Sequence, residues 1–159
     1  MILVTHGVVG GALAKMLFGF NPFVAFVFGF FSHFVMDMIP HWDYHISAEK
    51  KSGSLDNNFD ISRKHLGAIT KIGLDFLAGM ILPILFFSFS WVVVLGALGG
   101  IMPDILQFVY WKTKHPLFLQ KFHHWIHARH HYNGRPLLGA SMQTGIIGLV
   151  FYLTNLIFN

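Results

Sequence analysis

Stretches of mainly apolar residues, each near the roughly 20 residues that a bilayer core requires, organise this chain. The first covers residues 2–20 and breaks at Asn21-Pro22. The second covers 23–39 and stops at Pro40, because the residue before a proline is pushed out of helical geometry. From Leu66 to Trp111 the only charged residues are Lys71, Asp75 and Asp104, and the run is too long for one span. Ser88-Phe89-Ser90 divides it into helices at 66–88 and 91–111, with a kink at Pro83. Residues 137–158 carry no charge. The pattern predicts an all-α, polytopic membrane helical bundle of about five transmembrane helices, in one domain covering residues 1–159.

Two polar connections, 41–65 and 112–136, alternate with turns too short to be more than hairpins, so both long loops fall on one side. Lys112, Lys114, Lys121, Arg129 and Arg135 lie in the second loop without an acid, and Lys50, Lys51, Arg63 and Lys64 lie in the first. The positive-inside rule then places both loops and the N-terminus in the cytoplasm. The first helix lacks the basic region and cleavage site of a signal peptide and is read as a mature helix. Composition agrees with a membrane protein: 54% of residues are hydrophobic and only 11% charged, away from the soluble balance. The net charge of +4 sits in loops between spans, not on a soluble scaffold, which argues against nucleic acid as a partner.

Against this apolar background, SHFVMDMIPHWDYH (32–45) places three histidines and two aspartates at the end of a span. His6, His33, Asp37, Asp75 and Asp104 all fall in the cytoplasmic half of their helices at 1.5 Å of rise per residue. A charged group at mid-helix costs about 2.5 to 3.5 kcal/mol, so several buried carboxylates call for a shared partner. A divalent cation neutralises two of them and accepts imidazoles beside them. The chain has no cysteine, so ligands would be His nitrogen and carboxylate oxygen. His33 and Asp37 share a helical face at i,i+4, and His41, Asp43 and His45 follow where the chain leaves the membrane.

A second cluster, FHHWIHARHHYNGR (122–135), offers His123, His127 and His130 on one helical face and His124, His127 and His131 on a neighbouring one. Its Trp125 and Tyr132 suit the interface, and Arg129 and Arg135, with Lys121, suit anionic lipid headgroups. The bland alternatives are interhelical hydrogen bonds for a lone His65 or His115, and a pair of Asp75 with Lys71 one turn earlier. A shift of 67 residues aligns VFGFFSHFVMD with VLGALGGIMPD, matching Gly29 to Gly96 and Asp37 to Asp104, as in a two-hairpin internal repeat. Gly7 with Gly11, and Gly96 with Gly100, have the small-xxx-small spacing of closely packed membrane helices.

VTHGVVGGALAKML (4–17), DMIPHWDYH (37–45) and MPD (102–104) resemble the predicted membrane-bound metal-dependent hydrolases, small bacterial and archaeal inner-membrane proteins. The resemblance is best over the first 45 residues. It implies an inner-membrane location, with His6 as the family's N-terminal histidine and Asp43 as the last aspartate of a Pro-Asp-x-Asp element. His41 stands where that element has its first aspartate. The family's later His-Arg-Gly-x-Thr-His-Ser element is missing, and His123 to His131 stand in its place.

The expectation is therefore a zinc-type site drawn from His6, His33, Asp37, His41, Asp43, Asp104, His123 and His127. It would hydrolyse an ester or phosphoester, most simply of a membrane lipid, with Asp75 or an unligated histidine as general base and Lys121, Arg129 and Arg135 on the substrate. Two other classes fit parts of the pattern. HWDYH and HARHH match two of the three histidine boxes of di-iron fatty-acid hydroxylases and desaturases. A non-catalytic protein would use the same residues for a structural ion or polar network.

Overall fold

The computed structural model describes residues 1–16, 21–43, 66–115, 117–127 and 135–158. The regular elements are all helices: α1 (Leu3–Met16), α2 (Pro22–Asp37), α3 (Leu66–Phe87), α4 (Trp91–Thr113), α5 (Leu117–His127) and α6 (Pro136–Phe158). Helices α3, α4 and α6 are long and apolar enough to cross a membrane, while α2 is a shorter apolar helix of 16 residues. Helix α1 is described over 14 residues, the predicted stretch 17–20 lying outside the described residues. The loop expected at 112–136 contains the separate helix α5.

Local chemistry explains the boundaries. The Asn21 side chain accepts a hydrogen bond from the Phe23 amide at 2.7 Å and Pro22 opens α2, a capped start with a preset φ. Ser90 caps α4 by accepting from the Val93 amide at 3.2 Å. Helix α4 ends at Lys114, whose left-handed φ of 60° lets its amide return to the Tyr110 carbonyl.

Helix α1 is the centre of the bundle, packed by α2, α3, α4 and α6 and buried along most of its length. Glycine makes that possible. A β-carbon on Gly7 would collide with the Gly79 carbonyl of α3, and one on Gly10 with the Gly96 carbonyl of α4. Gly29 of α2 also backs onto the Gly96 carbonyl, so α4 receives both helices of the first hairpin on its glycine face.

The contacts fix helix direction. Leu3 meets Asp75, Gly7 meets Gly79 and Gly11 meets Pro83, so α1 and α3 run parallel. Gly29 meets Gly96 and His33 meets Gly100, so α2 and α4 also run parallel, the other way. The positions aligned by the 67-residue shift are thus neighbours in space. The start of α1, the end of α2 and the Asp104 region of α4 come together at one end.

Large apolar side chains face outward, among them Phe23 at 69% exposure, Leu85 at 70% and Leu156 at 65%. His6, His33, Asp37, His41 and His123 are instead buried. This inverts the arrangement in which charged groups stay in water, and suits a bundle surrounded by hydrocarbon.

Candidate metal centre

The site begins with the last turns of α2, whose i,i+4 spacing sets His33 Nε2 3.0 Å from Asp37 Oδ2. Across the helix interface His33 Nδ1 lies 2.8 Å from the Gly100 carbonyl oxygen. A carbonyl can only accept, so Nδ1 carries the proton and a neutral His33 presents the Nε2 lone pair to Asp37. From α5, His123 Nε2 approaches Asp37 Oδ2 at 3.1 Å and His33 Nε2 at 3.1 Å. Asp104 Oδ1 of α4 lies 3.7 Å from His33 Nε2 and 3.8 Å from His123 Nε2. These separations bracket the roughly 3.3 to 3.4 Å edge of a tetrahedron whose corners lie about 2.0 to 2.1 Å from its centre, the distance of nitrogen and oxygen ligands from zinc.

The other oxygen of Asp37 faces a different group of residues. His6 Nε2 of α1 is 3.2 Å from Oδ1, without hydrogen-bond alignment, and the His6 ring stacks on His33 at 3.9 Å between centroids. The Met1 α-amino nitrogen lies 3.3 Å from Asp37 Oδ1, 2.8 Å from Asp43 Oδ1 and 3.5 Å from His127 Nε2. His41 Nε2 and His127 Nε2 each stand 3.4 Å from Asp43 Oδ2. His41 is oriented as His33 is: its Nδ1 donates to the Ile39 carbonyl at 2.7 Å.

Electrostatics at this outer group favour a cation. Burial pushes the Asp43 carboxyl up, yet the Met1 ammonium, His41 and His127 outweigh it and hold the carboxyl far below its usual range. Burial likewise opposes charge on Met1, but Asp37, Asp43 and Asp104 raise its amine to about 10. His127, desolvated and beside the Met1 ammonium, is held well below its ordinary value and stays neutral.

Three sets of residues lie close enough to hold a metal ion: His6 with His33 and Asp37, His33 with Asp104 and His123, and Asp37 with His41 and His127. All eight expected ligands, including Asp43, therefore meet around Asp37. Helix α5 brings in its His123 and His127 face.

The remaining expected residues lie elsewhere. Asp75 accepts from the Leu3 amide at 2.8 Å through Oδ2 and from the Val4 amide at 3.0 Å through Oδ1. It caps α1 from α3, an arrangement that occupies both oxygens. Lys121, Arg135 and His115 are exposed. Arg129, and with it His45, His65, His130, His131 and Tyr132, lies outside the described residues.

Sequence reasoning missed Gln143. Its buried amide accepts from the Ile2 amide at 3.1 Å and the Thr5 hydroxyl at 3.3 Å, and donates to the Trp42 carbonyl at 2.7 Å. Helix α6 is thereby tied both to the start of α1 and to the His41–Asp43 segment. The available signal was an amide in the helix without charge.

No protein-family model, curated protein or solved structure matches the chain. Neutral imidazoles and carboxylates without thiolate form the ligand set of zinc-type hydrolytic sites.

Proposed function

We propose that this chain is an integral-membrane, metal-dependent hydrolase with its centre at the cytoplasmic interface, acting on an ester or phosphoester of a lipid. The observation that carries the reading is the orientation of His33. With Nδ1 held by the Gly100 carbonyl, its Nε2 is aimed at Asp37 Oδ2 at 3.0 Å and His123 Nε2 at 3.1 Å. Basic atoms this close need a proton or a shared cation between them, and a divalent cation would satisfy His33, Asp37, Asp104 and His123 together. The backbone carbonyl is the outer partner that ligating histidines ordinarily have.

A zinc-type ion there supplies Lewis acidity and a water acidic enough to attack at neutral pH. The chain's own residues do the rest. Asp104 completes the donor set from α4. Asp75 is a positioning residue: it holds the start of α1 and, through that helix, His6. Helix α5 presents Phe118 and Trp125 outward and His123 inward, so it separates surrounding lipid from the centre. Exposed Lys121 and Arg135, with Arg129, supply positive charge for an anionic headgroup. Helices α1 and α2 complete five spans, with α1 shielded from lipid by the others. The likeness of residues 4–17 and 37–45 to the membrane-bound metal-dependent hydrolases points the same way.

The test is elemental mass spectrometry on detergent-purified protein, with Asp37→Ala and His123→Ala beside the wild type, and hydrolysis of carboxylic and phosphate esters by the metal-loaded chain. Zinc bound by the wild type and lost from both variants, together with ester cleavage, is the expected result. Iron in its place would transfer the site to oxidoreductase chemistry. No stoichiometric metal would sink the reading and leave a buried polar network.

A further inference from the structure

We infer that the centre takes two divalent cations bridged by the Asp37 carboxylate, the second held by Asp37, Asp43, His41 and His127. The inference rests on the reading that a first ion is bound by His33, Asp37, Asp104 and His123.

Asp37 has one oxygen on each side. Oδ2 faces His33 and His123, while Oδ1 faces His6 and the Met1 nitrogen. A carboxylate with both oxygens turned to separate donor groups is built to bridge. The second set is complete without borrowing a histidine from the first. His41 directs Nε2 toward Asp43 because its Nδ1 is held by the Ile39 carbonyl, and His127 Nε2 stands equally close to the same carboxylate.

The Met1 ammonium lies between Asp37 and Asp43 and against His127, where a metal ion would satisfy the same three groups. Three carboxylates against one divalent ion leave one net negative charge, which an ammonium balances; a second divalent ion in the ammonium's place leaves one net positive charge, suited to an anionic ester. Access is also unequal between the sets. The side chains of Asp43 and His127 are each 28% exposed, whereas those of His33 and Asp37 are fully buried. The second ion would therefore be the one that meets substrate.

This arrangement selects phosphoesters within the proposed hydrolase chemistry, since paired ions stabilise both the attacking and the leaving oxygen of an in-line displacement. In the balanced step a water oxygen bonds to phosphorus, the bond from phosphorus to the alcohol oxygen breaks, and the proton lost by water ends on the departing alkoxide.

The experiment is metal stoichiometry in the full chain after exposure to zinc and removal of excess, read by elemental mass spectrometry. Two ions are expected in wild type, one in Asp104→Ala, one in His41→Ala/His127→Ala and none in Asp37→Ala. Helical circular dichroism and size exclusion identify variants that fail to fold. One ion in wild type, unchanged by His41→Ala/His127→Ala, overturns the bridge and leaves the Met1 ammonium as the second cation. No ion at all overturns the hydrolase reading itself. A manganese(II) titration of wild type followed by electron paramagnetic resonance needs no variant. An exchange-coupled spectrum at the second equivalent supports the shared carboxylate, and only isolated-ion signals overturn it.

Discussion

His33 of α2 and Gly100 of α4 are joined by a 2.8 Å hydrogen bond from imidazole Nδ1 to the backbone carbonyl. The bond reaches that carbonyl because glycine keeps the packing face thin: a β-carbon on Gly100 would collide with the His6 carbonyl of α1. One residue thus sets the separation of α1 from α4 and the tautomer of a histidine in the candidate centre. Packing and chemistry are coupled at this position.

Gly100→Ala tests that coupling. Overpacking of this kind costs about 1 to 3 kcal/mol, and loss of an outer partner weakens metal affinity roughly 10- to 100-fold. The expected outcome is a lower Tm in detergent together with weaker zinc binding in a chelator competition. Full affinity in a folded variant would show that the Gly100 carbonyl does not orient His33.

Asp37→Asn preserves side-chain shape while removing the charge shared by His6, His33 and His123. Metal binding stabilises the folded state by about 2.7 kcal/mol when free metal is 100 times Kd. Wild type is therefore expected to melt at a higher temperature as zinc is added, and Asp37→Asn to show no such rise. A zinc-dependent rise in the variant equal to that of wild type would remove Asp37 from the ligand set.

Where a boundary depends on local chemistry, the sequence was sufficient. Asn21-Pro22, the serines at 88 and 90 and Pro40 delimit helices through caps and φ restrictions, and the observed boundaries fall near them. His33 and Asp37 were legible as a pair because helical spacing alone places them on one face. Other features depend on which helices meet. Gly100 as the acceptor for His33, Gln143 as the tie from α6 and the Met1 nitrogen between two aspartates arise from interhelical contacts, and no local pattern encodes them. Asp75 shows the same division: its depth was readable, but its service to the amides of Leu3 and Val4 required the parallel packing of α1 on α3.

Asp75→Asn separates a cap from a catalytic base. Loss of a cap costs about 0.5 to 2 kcal/mol, and an amide retains part of the acceptor capacity, so the expected effect lies at the low end. Metal stoichiometry should be unchanged and Tm modestly lower. Turnover should fall no further than the loss of folded protein explains. A large fall in kcat with Tm intact would restore Asp75 as the proton acceptor.

The outward face of α5 supplies the test of membrane placement. Phe118, Phe122 and Trp125 are exposed at 83%, 39% and 56%, and their spacing of four and three residues keeps them on one face. His123 on the same helix is buried and reaches Asp37. An aromatic stripe over a polar centre is the arrangement expected of a helix lying at the headgroup boundary, where tryptophan is favoured. In a variant keeping Trp125 and replacing Trp42, Trp91 and Trp111 with phenylalanine, fluorescence in lipid vesicles should be quenched most strongly by lipids brominated near the headgroup end of the acyl chain. Quenching by aqueous iodide, with none from brominated lipid, would put α5 in water. The proposed centre would then not lie at a lipid boundary, and the substrate would have to be a water-soluble ester.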